Sequence, residues 1–269
     1  MSKIAVLADN RVAEPVPKGL RGEWGFAAAV DDVLFDTGQT GVVAHNAALL
    51  GIEFDFDAVV LSHAHYDHTG GLREVLARLE DPIVYCHPSV WTPRYVDDDD
   101  GEYRHIGLPY TRSEVADRAT IVEHTEPVEV SDGVYALGEI PRTHPDATIG
   151  LIEDDAELRD DPVRDDQTLA IQTDEGIAVV LGCGHSGLRN TIDHAESTLG
   201  DEVRYVVGGT HLVAFEDDVV HDVADRLEGR LDLFAGTHCT GAAAERIFAE
   251  RFPDAFEPVG VGSVLRLDR

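Results

Sequence analysis

An apolar strand that runs straight into a dense set of metal-type donors constrains this chain more than any other feature. In "DAVVLSHAHYDHTGGL" (57–72), His63, His65, Asp67 and His68 fall within six positions, and a glycine pair follows. In an extended strand His63 and His65 share a face, and only a turn brings Asp67 and His68 round to them. Neutral imidazole suits zinc, iron, manganese or nickel, and a carboxylate offsets part of an ion's charge. Gly70 and Gly71 let the backbone turn sharply into a helix. A hydrogen-bonded cluster with Asp67 as a helix cap would account for any one of these residues. Four donors in HxHxDH spacing read instead as half of a metal site.

One loop leaves such a site incomplete, so the fold must bring further donors to the same edge. Three segments qualify: "LGCGHSG" (181–187), "GGTHLV" (208–213) and "GTHCTG" (236–241), carrying His185, His211 and His238. Each follows an apolar run, and in layered α/β folds ligand groups gather at the carboxyl ends of strands. The same grammar runs through the chain. Strands are predicted at 3–8, 57–62 and 82–86, with a hairpin about Asp31 and Asp32. The spacing of Leu72, Val75, Leu76 and Leu79 predicts a helix over 70–80. Later, strands over 167–173 and 176–182 bracket a turn, and strands and helices then alternate to a closing strand at 262–267. Hairpins early and alternation late predict stacked sheets with helices outside. No linker interrupts the pattern, so residues 1–269 read as one domain, with 88–164 irregular enough to form a substrate-facing insertion.

Charge narrows the partners. The chain has 52 acidic and 21 basic residues, a formal net charge of −31, and its only lysines are Lys3 and Lys18. Such a surface repels nucleic-acid backbones and anionic lipid, so neither nucleic acid nor membrane is expected as a partner, and a small molecule is. Acid enrichment with lysine depletion is read as halophilic adaptation, including the runs at 97–100 and 153–161. No signal peptide or membrane span is expected, which gives a cytoplasmic protein. Cys86, Cys183 and Cys239 are expected to be free thiols or metal neighbours. Oligomeric state has no signature here.

"LFDTG" (34–38) followed by "SHAHYDHTGGL" resembles the metallo-beta-lactamase superfamily. The order of "AHNAALLGI", "GEIPR", "DDQTLAI", "GCGHSGLRNTI", "GGTHL" and "HCTG" is similar to its 7,8-dihydropterin-6-yl-methyl-4-(beta-D-ribofuranosyl)aminobenzene-5'-phosphate synthase-like subgroup, over about residues 34–241. The resemblance implies an α/β (α+β) four-layer αββα sandwich with one or two metals at its edge. It implies His63 and His65 in one metal site, Asp67 and His68 in the other, and His238 as the late histidine. Relatives carry a bridging aspartate where this chain has Cys183, so His185 is the preferred extra ligand, with Cys183 as the fallback. Asp36 is expected either to hold a ligand histidine from behind or to serve as a turn aspartate. His144 in "PRTHP" is a lesser ligand candidate, and His211 faces substrate or packs beside the site.

Two divalent ions, zinc ahead of iron or manganese, would make water nucleophilic near neutral pH, with Asp67 orienting it and accepting its proton. The expected activity is that of a metal-dependent hydrolase, or a transferase using the same chemistry. If a helix starts near Thr240, Thr240 and Gly241 lie where a phosphate or carboxylate could sit, although Thr240 as a plain cap explains them equally. The competing readings are a di-iron oxidoreductase, a nuclease of the same superfamily, and a non-catalytic metal-binding or sensing protein. The first would need an adjoining flavin domain, the second a basic surface, and the third fewer donors than are present.

Overall fold

The computed structural model describes residues 2–98, 101–154 and 157–268. Of the two acidic runs, Asp99, Asp100, Asp155 and Ala156 lie outside the described residues. The strands are β1 (Ser2–Ala8), β2 (Ala27–Val30), β3 (Val33–Phe35), β4 (Ala58–Val60), β5 (Ile83–Cys86), β6 (Arg94–Asp97), β7 (Tyr103–His105), β8 (Thr120–Glu123) and β9 (Val128–Ser131). They continue as β10 (Val134–Ala136), β11 (Leu151–Asp154), β12 (Glu157–Asp160), β13 (Thr168–Thr173), β14 (Gly176–Leu181), β15 (Val203–Gly209), β16 (Leu233–Thr237) and β17 (Val264–Leu267). The helices are α1 (Val42–Leu50), α2 (Tyr66–Thr69), α3 (Leu72–Leu76), α4 (Arg112–Ala116), α5 (Leu188–Leu199), α6 (Asp217–Leu227) and α7 (Ala242–Arg251).

Two mixed sheets lie at the centre, ordered β17-β1-β2-β3-β4-β5-β8 and β16-β15-β14-β13-β10-β9. Because successive side chains alternate faces, an apolar strand supplies two layers of core at once. Ile4, Val6, Ala28, Phe35 and Val60 of the first sheet meet Leu169, Ile171, Ala178, Val180 and Val207 of the second. Leu7, Leu34 and Val59 turn the other way, against Val43 and Ala47 of α1 and Leu72, Val75 and Leu76 of α3. On the second sheet Val179, Leu181, Val206 and Phe234 pack beneath Ile192 of α5, Ala224 of α6 and Phe248 of α7. The result is the four-layer αββα sandwich. Each of the valine, leucine, isoleucine and phenylalanine side chains, when fully buried, contributes about 1.5–3 kcal/mol. The layers therefore stabilise the fold, and they can carry polar loops at the sheet edge that add little stability themselves.

Local chemistry explains where the expected elements hold and where they shift. Asp31 takes φ 52° at the β2–β3 turn, the left-handed conformation that aspartate tolerates. The helix expected over 70–80 ends at Leu76, since Arg78 Nη1 takes the Glu74 carbonyl at 2.6 Å while the Arg78 amide bonds Val75. Helix α1, "VVAHNAALL", has too little polar contrast between its faces to show in the sequence pattern. Within 88–164, β8 joins the first sheet and β9 and β10 the second, while β12-β11-β6-β7 form a separate antiparallel sheet. No described helix is long and apolar enough to cross a membrane.

Sheet direction gathers the histidines. β14, β15 and β16 are parallel, with Leu181 opposite Gly208 and Gly208 opposite Gly236, so the loops bearing Cys183, His211 and His238 leave from one edge. β3 and β4 are parallel too, with Phe35 opposite Val60, and they release Asp36 and His63 together.

Candidate metal centre

Asp36 follows β3 in a left-handed conformation, φ 58°, which turns its carboxylate inward. Oδ1 accepts the Ser62 amide at 2.7 Å, and Oδ2 accepts both the Ser62 hydroxyl and His68 Nδ1 at 2.7 Å each. With its own proton given to Asp36, Ser62 Oγ accepts from His63 Nδ1 at 2.9 Å. Gly182 at the end of β14 allows this packing: a Cβ there would stand 2.2 Å from Ser62 Oγ and 2.7 Å from Asp36 Oδ2.

The second sheet repeats the device with neutral acceptors. His185 Nδ1 donates to the Ala147 carbonyl at 2.7 Å, and His238 Nδ1 donates to Asn10 Oδ1 at 3.0 Å. Asn10 Nδ2 donates to the His238 carbonyl at 3.1 Å, which fixes the orientation of the amide. With Nδ1–H of His63, His68, His185 and His238 all tied to acceptors, the ring position left to point inward is Nε2.

Those inward nitrogens converge. His63 Nε2 lies 2.9 Å from His65 Nδ1, and His68 Nε2 lies 3.2 Å from His238 Nε2 and 3.4 Å from Cys183 Sγ. Asp67 Oδ2 stands 3.8 Å from His68 Nε2 and 3.6 Å from His238 Nε2. His65 Nε2 and His185 Nε2 are buried without a partner. Three donor sets each fall within 4.8 Å: His63 with Cys183 and His185, His68 with Cys183 and His238, and Cys183 with His211 and Cys239. Facing lone pairs in a buried space repel one another, and a cation at their centre relieves that repulsion. The donor set therefore fits divalent metal.

Electrostatics agrees. Burial pushes the imidazoles of His63, His65, His185 and His238 well below the ordinary range, which keeps them neutral as ligands must be. His68 goes the other way. Burial opposes its charge, but the carboxylates of Asp67 and Asp36 outweigh burial and lift it to about 9, so without metal it carries the proton that an ion would replace.

The structure brings His63, His65, Asp67, His68, His185 and His238 together, with Asp36 behind His68. His185 and Cys183 are not alternatives, since both join the cluster and the Cys183 thiol is common to all three donor sets. His144 is a correction: its Nε2 pairs with Asp193 at 2.9 Å, in a groove with Arg189 and Arg230. Its loop serves the site through the Ala147 carbonyl instead. Thr240 and Gly241 are also corrected. The Thr240 hydroxyl is buried and takes up the Thr210 amide and hydroxyl, while Gly241 packs on Val213, and neither lines the cleft. His211 does line it, with its ring 4.2 Å from that of His185.

Asp165 and Asp166, adjacent in "DDQTLAI", went unread in the sequence. Asp165 Oδ2 accepts the Ala64 amide, between His63 and His65, at 2.8 Å, and its Oδ1 holds the fully buried Arg94 at 2.6 Å. Asp166 Oδ2 accepts the Ser186 amide at 2.7 Å, beside His185. Two aspartates directly before an apolar strand are the signal that was available.

The cluster opens into a cleft of about 190 Å³ lined by Trp24, Tyr66, Val96, Arg104, Ile106 and Ile149, with His65, Asp67, Cys183, His185, His211, His238 and Cys239 at its base. Larger grooves, about 460 Å³ near Tyr110 and about 620 Å³ near Pro127, lack inward-facing donors of this kind. Trp24 is 57% exposed at the rim and meets His238 edge-on at 5.6 Å.

A family model described as the metallo-beta-lactamase superfamily matches residues 31–214. A curated relative from Methanocaldococcus jannaschii, 7,8-dihydropterin-6-methyl-4-(beta-D-ribofuranosyl)-aminobenzene-5'-phosphate synthase, is 29% identical over 249 residues, 87% of this chain and 84% of its own length. The crystal structure of a metal-dependent hydrolase of the beta-lactamase superfamily superposes with a TM-score of 0.88 at 30% identity, covering 100% of both chains. Zinc-bound PqqB from Methylobacterium extorquens shares the fold at a TM-score of 0.57 and 12% identity, over 98% of this chain and 100% of its own.

Proposed function

The chain belongs to the metallo-beta-lactamase superfamily, and from that membership we propose that it is a metal-dependent hydrolase, or a transferase by the same chemistry, acting on a small anionic molecule. The observation that carries this reading is the tethering of Nδ1 in His63, His68, His185 and His238, which leaves Nε2 of each free to join one of two adjoining donor groups, His63 with His185 and His68 with His238. His63, His65 and His185 would hold one divalent ion and Asp67, His68 and His238 the other, with Cys183 between them. Such ions, zinc first among the candidates, lower the pKa of water to about 7 and steady developing negative charge.

The chain's own groups do the rest. Asp67, with Oδ2 at 3.8 Å from His68 Nε2 and 3.6 Å from His238 Nε2, faces the cleft and is placed to orient the attacking water and hold its proton. Trp24 offers an exposed ring face at the rim, and Arg104, whose Nε is held by Asp98 at 3.1 Å, lines the same cleft with its guanidinium. An aromatic compound bearing phosphate or carboxylate suits that pair by stacking and by charge-assisted hydrogen bonds. The Methanocaldococcus relative is named for a product with both features, which supports a phosphorylated aromatic substrate and favours the transferase form.

The test is a panel of phosphoesters, lactones, thioesters and beta-lactams, with a ribofuranosylaminobenzene phosphate, at the high salt that suits a net charge of −31. Wild type should turn over at least one class, with the phosphorylated aromatic preferred, and His65→Ala should not. Equal inertness of both proteins towards every class would overturn the reading. Elemental analysis of protein purified without added metal addresses the di-iron oxidoreductase: a majority of iron would favour it, and zinc would favour hydrolysis.

A further inference from the structure

We propose that Cys183, His211 and Cys239 form a separate thiolate-rich seat for a thiophilic divalent cation, sharing the Cys183 sulfur with the imidazole sites. The two sulfurs and one imidazole nitrogen lie within 4.8 Å of one another. Tetrahedral zinc with Zn–S near 2.3 Å and Zn–N near 2.0 Å places such donors about 3.6–3.8 Å apart, so modest contraction closes the seat. All three residues line the cleft, which leaves a fourth position open to a ligand from solvent.

The backbone is shaped for this convergence. Gly209, at the end of β15, lets both loops close in: a Cβ there would be 2.3 Å from the Gly182 carbonyl, 2.8 Å from Cys239 Sγ and 3.2 Å from the Cys183 Cα. His211 is held at φ 49°, a left-handed conformation that a non-glycine residue keeps only where its surroundings impose it. Its Nδ1 is buried without a partner, and its ring lies 4.2 Å from that of His185, tilted by 39°. Cys239 directly follows His238, and Cys183 lies two positions before His185. The two loops that supply imidazoles to the metal cluster therefore supply thiols to the adjoining seat.

This assigns His211 to a cation rather than to substrate, and it gives the second ion a choice. A hard ion is favoured in the seat of Asp67, His68 and His238. A soft ion is favoured between the sulfurs, where it leaves the Asp67 carboxylate without metal.

Cadmium is the probe. Metal-free full-length protein given one equivalent of Cd²⁺ should show the ultraviolet thiolate-to-cadmium charge-transfer band, and Cys239→Ser should lose about half its amplitude, one of two thiolates being gone. X-ray absorption at the cadmium edge on wild type should find two sulfur neighbours, which keeps the proposal testable if the variant fails to fold. An unchanged band in Cys239→Ser, or one sulfur or none at the cadmium, overturns the seat. Neither measurement reads turnover, so a failure here leaves the hydrolase reading standing, and an inert enzyme leaves the seat standing.

Discussion

The two sheets furnish the metal cluster in different ways. The first sheet offers a single loop, His63 to His68, and backs it with a buried carboxylate: Asp36 holds His68 directly and His63 through Ser62. The second sheet offers Cys183 and His185 from the end of β14 and His238 from the end of β16, and backs the two histidines with neutral oxygens, the Ala147 carbonyl and the Asn10 amide. The consequence is electrostatic. His68, beside the carboxylates of Asp67 and Asp36, is lifted to about 9, whereas burial leaves His63, His65, His185 and His238 well below the ordinary range. A charged acceptor makes its imidazole a stronger base and hence a stronger donor to metal, while a neutral one fixes orientation alone. His68 is thus charge-activated, while the other histidines of the cluster are positioned.

The largest expected effect comes from removing a donor of the first sheet's loop. His65→Ala should lower bound metal and reduce turnover by more than about 100-fold, exceeding the 10–100-fold typical of an outer partner. Metal content equal to wild type would remove His65 from the ligand set. Next in size is the pH response of the metal-free protein. The folded-state pKa of His68 is raised from 6.5 to about 9, so the stability it contributes is fully present below 6.5 and is lost as pH rises through 9. The gap corresponds to about 3 kcal/mol. His185 and His238 have the opposite sign, their contribution being present above 6.5 and lost as pH falls below it. Denaturant unfolding of wild type and Asp36→Asn across pH 6 to 10 reads the first slope as a difference. Parallel curves would mean that Asp36 does not charge His68.

The same asymmetry governs what the sequence discloses. The loop of the first sheet is contiguous, so HxHxDH is legible by inspection, and so are the strands and helices with strong apolar period. The donors of the second sheet become neighbours only through the parallel register of β14, β15 and β16, so the sequence points to His185 and His238 but leaves Cys183 and His185 competing for a place that both occupy. Backbone acceptors leave no mark on the sequence. The "PRTHP" loop draws attention to His144, yet it is the Ala147 carbonyl that reaches His185. Asn10, a single amide 228 positions from His238, gives no pattern to read at all. Thr240 misleads for a related reason, because helix α7 starts from Gly241 while the threonine hydroxyl is spent on Thr210.

The finest test sets the two anchors against each other. Asp36→Asn keeps the size of the side chain and one acceptor oxygen but removes the charge, and it should weaken metal binding about 10–100-fold. Asn10→Ala removes a neutral acceptor, leaving His238 Nδ1 and the Gly25 amide without Asn10 Oδ1, and should fall at the lower end, near 10-fold. Competitive titration against a chelator of known affinity compares the two variants at one pH. If Asn10→Ala proves the more damaging, orientation outweighs basicity in this cluster and the charge on Asp36 is incidental. If Asp36→Asn does, and its loss shrinks towards that of Asn10→Ala above pH 9, the first sheet contributes charge as well as geometry. At that pH His68 no longer holds its own proton in the metal-free state, so the competition between proton and metal that Asp36 sets up has ended.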